Sequence, residues 1–390
     1  MTDRLHILFV VEYYFPHIGG GEIVFQQLAE GLAACGVSVD VVTCLLPGTL
    51  PREVLNGVAV HRVRVPQRGR RHWFSAMALP TVMRLTRRHT IIHTNTHNGA
   101  FPAWLAARLR RVPCVMTVYE VFGPQWALLA GIGKPAALLY RTFESVAVRL
   151  PFDWQICISQ YTQRKLEEFY PSSRRRSSVI YVGVDEQLFD LTHADGTRVR
   201  SAMDAEDRFL VLYFGRPGYA KGLDYLIDAI PEMADRIPHL LVLFLLADEP
   251  RKLYDAAMHR LHGLVERGVV QVKAPVARAE LPNYLAAADC VVIPSLSEGF
   301  GLSAAEACAM GRPVVATTGG ALPEVVSGWT IMVPPRDSPA LAHAVYSISS
   351  GNVTQRRIRH FEWDHIIEKH LNIFATTQQG IMHVTVPRTL

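Results

Sequence analysis

Phe209-Leu-Val-Leu-Tyr-Phe-Gly-Arg-Pro-Gly-Tyr-Ala-Lys-Gly222 is the stretch of the chain that decides its fold. Its first six residues are apolar and have the length of a strand, a glycine-rich loop follows, and Leu223–Ile230 then has helical spacing. A glycine-rich turn between a buried strand and a helix is typical of doubly wound α/β domains, which bind ligands at the carboxyl ends of their strands.

Short apolar strands alternate with helical segments twice along the chain. The first set begins at Leu5, Val37, Val58, Thr90, Cys114 and Trp154, and the second at Phe209, Leu241, Val269, Cys290, Pro313 and Ile331. Continuous apolar strands separated by helices indicate parallel sheets covered on both faces. We therefore predict an α/β protein with two Rossmann-like, doubly wound domains, residues 1–182 and 183–360, that face each other across a cleft.

Composition excludes several classes of protein. Of the 390 residues, 49% are hydrophobic and 19% charged, which excludes a mainly disordered chain. No apolar run reaches the roughly 20 residues of a spanning helix, the N-terminus lacks a signal-peptide pattern, and the cysteines lack metal-site spacing, so we expect a cytoplasmic protein. Residues 1–176 hold 21 Lys/Arg and 11 Asp/Glu, whereas residues 177–390 hold 19 Lys/Arg and 24 Asp/Glu. This difference in charge suggests different partners for the two halves.

Two glycine-rich loops are candidate anion sites. Phe15-Pro-His-Ile-Gly-Gly-Gly-Glu22 leads from the first strand into a helix, where Gly20 and Gly21 permit a phosphate or carboxylate to approach the helix N-terminus. The spacing is not that of the dinucleotide fingerprint, and a simple tight turn is the alternative. In the second loop, Arg216 and Lys221 flank the turn and would bind a polyanion, most simply a diphosphate, unless they are ordinary solvated cations.

Two glutamates follow the strand Cys290–Ile293. Glu298 lies in the loop with Gly299 and Gly301, and Glu306 lies about one turn into a helix that begins near Ser303. Carboxylates accept hydrogen bonds from vicinal hydroxyls, so the pair suits a sugar and a ribose. As an alternative for Glu306, Ser303-Ala-Ala-Glu306 matches a capping box. The following Thr317-Thr-Gly-Gly-Ala-Leu-Pro-Glu324 fits either a wall close to the ligand or a glycine turn in which the proline enters a helix.

Three other segments carry weaker signals. His93 and His97 end a strand, where an i, i+4 pair does not share a face, so we expect no metal site there. Arg62–Phe74 is basic and ends in Trp73 and Phe74, which would suit anionic lipid headgroups, nucleic acid or solvent. The apolar segment Trp126–Tyr140 is either a shallow contact with a membrane or acceptor, or an ordinary amphipathic helix.

Together these motifs resemble the retaining nucleotide-sugar glycosyltransferases of family 4, the group 1 enzymes with the two-Rossmann GT-B fold. The spacing of Glu298 and Glu306 within Ser297-Glu-Gly-Phe-Gly-Leu-Ser-Ala-Ala-Glu-Ala307 is the most specific part. The loop from Gly215 to Gly222 is the second, and Val182-Gly-Val-Asp-Glu-Gln-Leu-Phe189 is similar to the entry into the second domain of the family.

The resemblance implies roles for these residues. Arg216 and Lys221 would clamp the donor diphosphate, Glu298 would lie beside the transferred sugar, and Glu306 would bind the ribose. A helix starting near Trp363, within residues 361–390, would cross back to the first domain. The residues expected to bind substrate are Gly20, Gly21, Gly215, Gly299, Phe300, Gly301, Leu302, Ser303 and Glu306. The residues expected to take part in catalysis are Glu298, Arg216, Lys221, Tyr119 and Glu120.

The chain departs from the family at Thr117-Val-Tyr-Glu120, where Tyr119 takes the place of a histidine. Tyrosine cannot carry a positive charge, so a role that requires imidazolium is not expected there, and the candidate substitutes are Glu120 and a nearby histidine.

The resemblance implies transfer of a hexosyl group from a UDP- or GDP-sugar, such as GDP-mannose, without a metal or cofactor. The basic first half favours an anionic or lipid-linked glycan acceptor and peripheral contact with the inner face of an anionic membrane, and no nucleic acid is expected as a partner. Two alternatives stay open: a non-catalytic sugar-nucleotide-binding module, and a sugar-nucleotide epimerase on the same fold.

Overall fold

The chain forms two sheets, one in each of two structural units. The computed structural model describes residues 5–17, 19–66, 68–96, 98–172 and 176–384. The first unit comprises Met1–Pro124, Pro135–Gly183 and Phe361–Leu390, and the second comprises Gln125–Lys134 and Val184–His360.

The first sheet is parallel except at one edge. Its strands among the described residues are β1 (His6–Val10), β2 (Ser38–Cys44), β3 (Arg52–Leu55), β4 (Val58–Val63), β5 (Thr90–Asn95), β6 (Cys114–Val118), β7 (Trp154–Cys157) and β8 (Ser177–Val179). Across the sheet they run β3-β4-β2-β1-β5-β6-β7-β8, with β3 antiparallel to β4. In β1, Ile7 and Phe9 enter one apolar core and Leu8 and Val10 another. Since side chains alternate along a strand, β1 must be covered on both faces.

Helices cover both faces of this sheet. Up to residue 183 they are α1 (Gly20–Ala34), α2 (Arg70–Met77), α3 (Leu79–Leu85), α4 (Ala100–Arg110), α5 (Trp126–Leu129), α6 (Lys134–Arg149) and α7 (Gln160–Phe169). Residues of α2, α3, α4, α6 and α7 pack with Leu8 and Val10, whereas those of α1 pack with Ile7 and Phe9. The short helix α5 belongs to the second unit.

The second sheet repeats this arrangement. Its described strands are β9 (Phe209–Gly215), β10 (Leu240–Leu246), β11 (Val270–Lys273), β12 (Cys290–Ile293), β13 (Val314–Thr317), β14 (Gly328–Val333) and β15 (Thr354–Arg356). They run β11-β10-β9-β12-β13-β14-β15, and only the pairing of β15 with β14 is antiparallel among those described. All seven residues of β10 are apolar and buried, as expected for a strand covered on both faces.

The later helices are α8 (Gly196–Ser201), α9 (Leu223–Arg236), α10 (Arg251–Glu266), α11 (Leu281–Ala287), α12 (Leu302–Ala309), α13 (Leu322–Val325), α14 (Ser338–Ser349) and α15 (Trp363–Val384). The last of them, α15, packs against α1 in the first unit. A Cβ at Gly31 of α1 would overlap the side chain of Ile367, so glycine permits this close approach of the two helices.

The predicted fold class, two doubly wound α/β domains with parallel sheets, is confirmed. Each predicted strand starts within one residue of an observed one, except that β14 begins three residues before the predicted Ile331. The short edge strands β3, β8 and β15 were not predicted. In the described part of the chain, no helix combines the length and apolar character needed to span a bilayer.

Candidate functional site

Three loops of the second unit meet at the carboxyl edge of its sheet. They follow β9, β12 and β13, which are neighbours in the sheet. The amide N of Leu296 donates to the carbonyl O of Ala220 at 2.7 Å, and the amide N of Ala321 donates to the carbonyl O of Glu298 at 2.8 Å. The loop of Glu298 is therefore held from both sides by its neighbours.

The structure brings Glu298 and Lys221 together. Nζ of Lys221 lies 2.8 Å from Oε1 and 3.0 Å from Oε2 of Glu298. The hydroxyl of Ser295 donates to the same Oε1 at 2.7 Å. Because the Lys221 side chain is 41% exposed, the ion pair contributes at most about 1 kcal/mol to stability, and its main effect is to orient the carboxylate.

Two glycines in the flanking loops allow this close packing. Gly222 has φ +64°, and a Cβ there would overlap the carbonyl of Pro294. Gly320 has φ +66°, and a Cβ there would overlap the backbone of Glu298. Close contact with the loop of Glu298 thus accounts for the glycine at position 320.

Arg216 lies in the same loop as Lys221 but in a different environment. Its side chain is exposed, and among the described residues its guanidinium forms no hydrogen bond or ion pair. Gly215, the last residue of β9, pairs with Leu246 of β10. Arg216 is therefore a cation at the carboxyl edge whose charge no described residue balances.

The residues predicted between the two glutamates surround the start of α12. Gly299 and Phe300 are buried. Gly301 is the N-cap residue with φ +96°, and Leu302 and Ser303 are the first two residues of the helix. The first N–H groups of a helix have no partner within it, so those of Leu302 and Ser303 are suited to receive an anion.

Glu306 is buried, with 2% of its surface exposed, and Oε1 lies 2.7 Å from Nη1 of Arg278. Burial raises the pKa of the Glu306 carboxyl, and Arg278 opposes that shift. The capping-box alternative is wrong: Gly301 rather than Ser303 occupies the N-cap position, and no side chain caps α12. Glu306 therefore lies two residues deeper in the helix than a capping glutamate, where Arg278 is its counter-charge.

Arg278 was missed by the sequence analysis. It lies in the connection between β11 and α11, and its guanidinium carbon is 5.0 Å from the ring centroid of buried Phe189. No motif signals the residue, because its partners Phe189 and Glu306 are distant in sequence.

The remaining predicted residues lie in the first unit. The hydroxyl of Tyr119, just after β6, donates to the carbonyl O of Gly21 at 3.1 Å. Burial, and secondarily the charge of Glu22, raises the pKa of Tyr119 well above its usual value, so the phenol is neutral. At Gly20 a Cβ would meet no atom of the described residues within 4 Å, and at Gly21 it would make van der Waals contact with Tyr119. Neither glycine is required there by internal packing.

Glu120 is half-buried and begins the loop that follows β6. This loop is fixed by Glu144 of α6, a second residue that the sequence analysis missed. Its carboxylate accepts hydrogen bonds from the amide N of Phe122 at 2.9 Å, the amide N of Gly123 at 2.7 Å and the hydroxyl of Tyr170 at 2.7 Å. The backbone beyond Glu120 is therefore held in one conformation.

His93, Phe74 and Arg62 are structural residues in the first unit. The ring of His93 is buried, and its Nε2 lies 2.8 Å from Oγ1 of Thr117; His97 lies outside the described residues. Phe74 is buried in the core, so the prediction that it lies at a lipid interface is wrong. Arg62 is also buried and donates to the carbonyl oxygens of Leu50 and Phe15.

Comparison with known proteins identifies the family. Residues 208–350 match the family model described as Glycosyl transferases group 1, and residues 18–188 match the one described as Glycosyltransferase Family 4. An uncharacterized glycosyltransferase of Methanocaldococcus jannaschii, MJ1607, is 28% identical over 96% of this chain and 99% of its own. A D-inositol 3-phosphate glycosyltransferase of Streptomyces bingchenggensis is 27% identical over 93% of this chain and 86% of its own.

Solved structures show the same fold. The Anabaena protein Alr3699/HepE, in complex with UDP-glucose, has a TM-score of 0.74 and 21% identity, covering 96% of this chain and 100% of its own. Sucrose-phosphate synthase of Thermosynechococcus elongatus has a TM-score of 0.73 and 21% identity, covering 96% and 99%. With two family models matched along most of its length and this fold, the chain belongs to the group 1, family 4 glycosyltransferases.

Proposed function

We propose that the protein transfers a hexosyl group from a nucleoside diphosphate sugar to an acceptor hydroxyl, with retention at the anomeric carbon. One observation carries the proposal: Glu298 is oriented by Lys221 and Ser295 at the edge of the sheet where Arg216 offers an unbalanced positive charge. A carboxylate suits the hydroxyls of a sugar, and a free guanidinium suits the diphosphate beside it.

The two cations of the loop have different roles in this proposal. Lys221 is already paired with Glu298, so part of its charge is compensated before the donor binds. Arg216 is not, and it would offset most of the charge that grows on the diphosphate as the glycosidic bond breaks. The N–H groups of Leu302 and Ser303 would add donors at the start of α12. We propose that these groups take the role that a metal has in other transferases.

Glu306 would bind the ribose hydroxyls. Only its Oε1 is bonded to Arg278, and a carboxylate has acceptor positions for further hydrogen bonds. In the first unit, the open space at Gly20 would admit part of the donor, whereas Tyr119 would act as a neutral hydrogen-bonding group. The acceptor hydroxyl would attack from the face of the leaving group, and the departing phosphate would take its proton.

The donor and acceptor are proposed by class. The Anabaena relative in fold was solved with UDP-glucose, so UDP-sugars are the first donors to test, followed by GDP-sugars such as GDP-mannose. Several relatives are named for D-inositol 3-phosphate, a phosphorylated acceptor. With the excess of basic residues in the first half of this chain, this supports an anionic or lipid-linked acceptor.

The test is donor turnover by Arg216→Ala. We expect release of nucleoside diphosphate to fall at least about a hundredfold, as when one transition-state donor is removed, with the unfolding midpoint unchanged. Arg251→Ala is the matched control, since Arg251 is an exposed arginine of the same unit, in helix α10, whose described partners are exposed Asp255 and the ring of Tyr254 in the same helix. Turnover near the wild-type rate in Arg216→Ala would contradict the proposal. If the wild-type protein binds the donor but does not transfer the sugar, the result would favour a binding module. If it isomerises the donor in the absence of an acceptor, the result would favour an epimerase.

A further inference from the structure

One face of helix α6 is apolar and exposed. Leu139, Phe143 and Val146 recur at i, i+4 and i+7, so they form one stripe, and Leu138 lies beside it. These side chains are 55%, 47%, 45% and 65% exposed, in that order. The opposite face of the helix is buried in the core of the first unit. A helix with a second apolar face in water has room for a partner on that face.

Helix α2 adjoins this stripe. The ring centroids of His72 and Phe143 are 6.3 Å apart. The next residue, Trp73, is 51% exposed, and Met77 at the end of α2 is 41% exposed. We define the α2–α6 surface as Trp73, Met77, Leu138, Leu139, Phe143 and Val146.

Positive charge accompanies the α2–α6 surface. The sequence between Glu53 and Glu120 contains eleven arginines, of which Arg70 and Arg71 begin α2, and no aspartate or glutamate. In α6, Lys134, Arg141 and Arg149 are exposed. Its one carboxylate, Glu144, is buried and bonded to the loop after β6. The described residues of α2 and α6 thus present cations and apolar groups to solvent but no exposed carboxylate.

This chemistry selects among possible partners. A second copy of the chain would bring the same positive charge against itself, which disfavours a dimer through this surface. Nucleic acid would match the charge but not the aliphatic stripe. An anionic bilayer matches both, because its headgroups attract cations while Trp, Phe and Leu side chains enter the boundary with the acyl chains. We propose that the α2–α6 surface docks the protein on an anionic lipid bilayer.

The inference deepens the proposed function and rests on it, since docking there would serve a lipid-linked acceptor. Vesicle binding nevertheless needs neither donor nor acceptor and can be measured separately. The docking surface overlaps both segments that the sequence indicated without matching either one. Leu138 and Leu139 lie in Trp126–Tyr140, whereas of the two aromatic residues that end Arg62–Phe74, Trp73 is exposed and Phe74 is buried.

The test is co-sedimentation of the full chain with vesicles, without nucleotide sugar. We expect binding to phosphatidylcholine vesicles containing about one-third phosphatidylglycerol to be at least about tenfold tighter than to phosphatidylcholine alone, and to weaken in high salt. Arg149 is exposed and follows Val146 by three residues, so it lies beside the apolar stripe, and Arg149→Gln should weaken binding to the anionic vesicles about fivefold, the effect of one cation at such a surface.

The variant Leu139→Ser/Phe143→Ser should bind at least about tenfold more weakly. Each of the two apolar side chains is about half exposed in the free protein, so each contributes roughly half of its full burial energy when the bilayer covers it. Trp73→Ser should also weaken binding. Trp329→Ser is its matched control, since Trp329 is 42% exposed but belongs to the second unit.

Three results would overturn the inference. The first is that the wild-type protein does not bind anionic vesicles, and the second is that the double variant binds them as tightly as the wild type. The third is that light scattering shows a dimer of the wild type that the double variant does not form. Donor turnover in the same preparations separates the two proposals. Wild-type protein that binds anionic vesicles but does not turn over a donor would count against the transferase reaction and not against the docking surface.

Discussion

The buried ion pair between Arg278 and Glu306 predicts a pH-dependent loss of stability in Arg278→Ala. The substitution leaves the Glu306 carboxylate, 2% exposed, without the guanidinium that lies 2.7 Å from it. Removing one partner of a buried pair costs about 3–5 kcal/mol. The Arg278 side chain is 25% exposed, so water partly screens the pair and we expect about 3 kcal/mol at pH 8.

The direction of the pH dependence follows from the pKa of Glu306. Burial already raises this pKa in the wild-type protein, and losing Arg278 raises it further. The folded variant then binds a proton more tightly than the unfolded chain, so the stability of the variant falls as the pH rises from about 5 to 8. Near pH 5 a protonated Glu306 needs no counter-charge, and we expect the loss to shrink to about 1 kcal/mol, the contact of Arg278 with Phe189.

Urea unfolding between pH 5 and 8 measures both effects. Arg198→Ala is the control, because Arg198 lies 2.7 Å from Glu280 but both side chains are about half exposed or more, and its loss should stay below about 1 kcal/mol at every pH. In Arg278→Ala/Glu306→Gln, the neutral amide should remove the pH dependence. An Arg278→Ala loss no larger than that of Arg198→Ala at pH 8, or one that grows towards pH 5, would refute the reasoning.

Two further predictions concern stability. Burial lowers the pKa of His370 to about 4, so the unfolded chain binds the proton first and stability should fall by about 3 kcal/mol as the pH drops from 6.5 to 4; His370→Leu should remove that part of the loss in urea titrations, whereas exposed His365→Leu should not. Gly222→Ala should lower the free energy of unfolding by about 2 kcal/mol or more, since φ is positive and the Cβ overlaps Pro294; Gly263→Ala, inside helix α10 with open space around it, should instead stabilise by about 0.5–1 kcal/mol, and equal effects would contradict the packing argument.

The fold could be predicted because its signals are local. The strand β10 is a continuous apolar run, and β9 leads through a glycine loop into α9, so the periodicity of the residues specifies both elements. The edge strand β3, Arg52-Glu-Val-Leu55, has exposed and half-buried positions and exists because it pairs with β4. Such strands lack the apolar pattern that marks a buried strand.

The candidate site was predictable in part. Glycine loops and charged residues after strands indicated Arg216, Lys221 and Glu298, and the structure places the last two in contact; their functional roles stay predictions. Arg278 and Glu144 were missed because their partners are distant in sequence. The capping box failed for a conformational reason: the left-handed Gly301 starts α12 at Leu302.

The final helix has a consequence for how the protein is made. Ile366, Ile367 and Phe374 of α15 share a core with Phe9 and Phe25, although they are translated only after the second unit, which ends at His360. While the ribosome is still synthesising the second unit, this face of the first sheet is covered by α1 but lacks the cover of α15. A nascent chain that stops before Trp363 leaves this apolar surface open to chaperones or aggregation. A late stop codon would thus damage the part of the protein that was synthesised first.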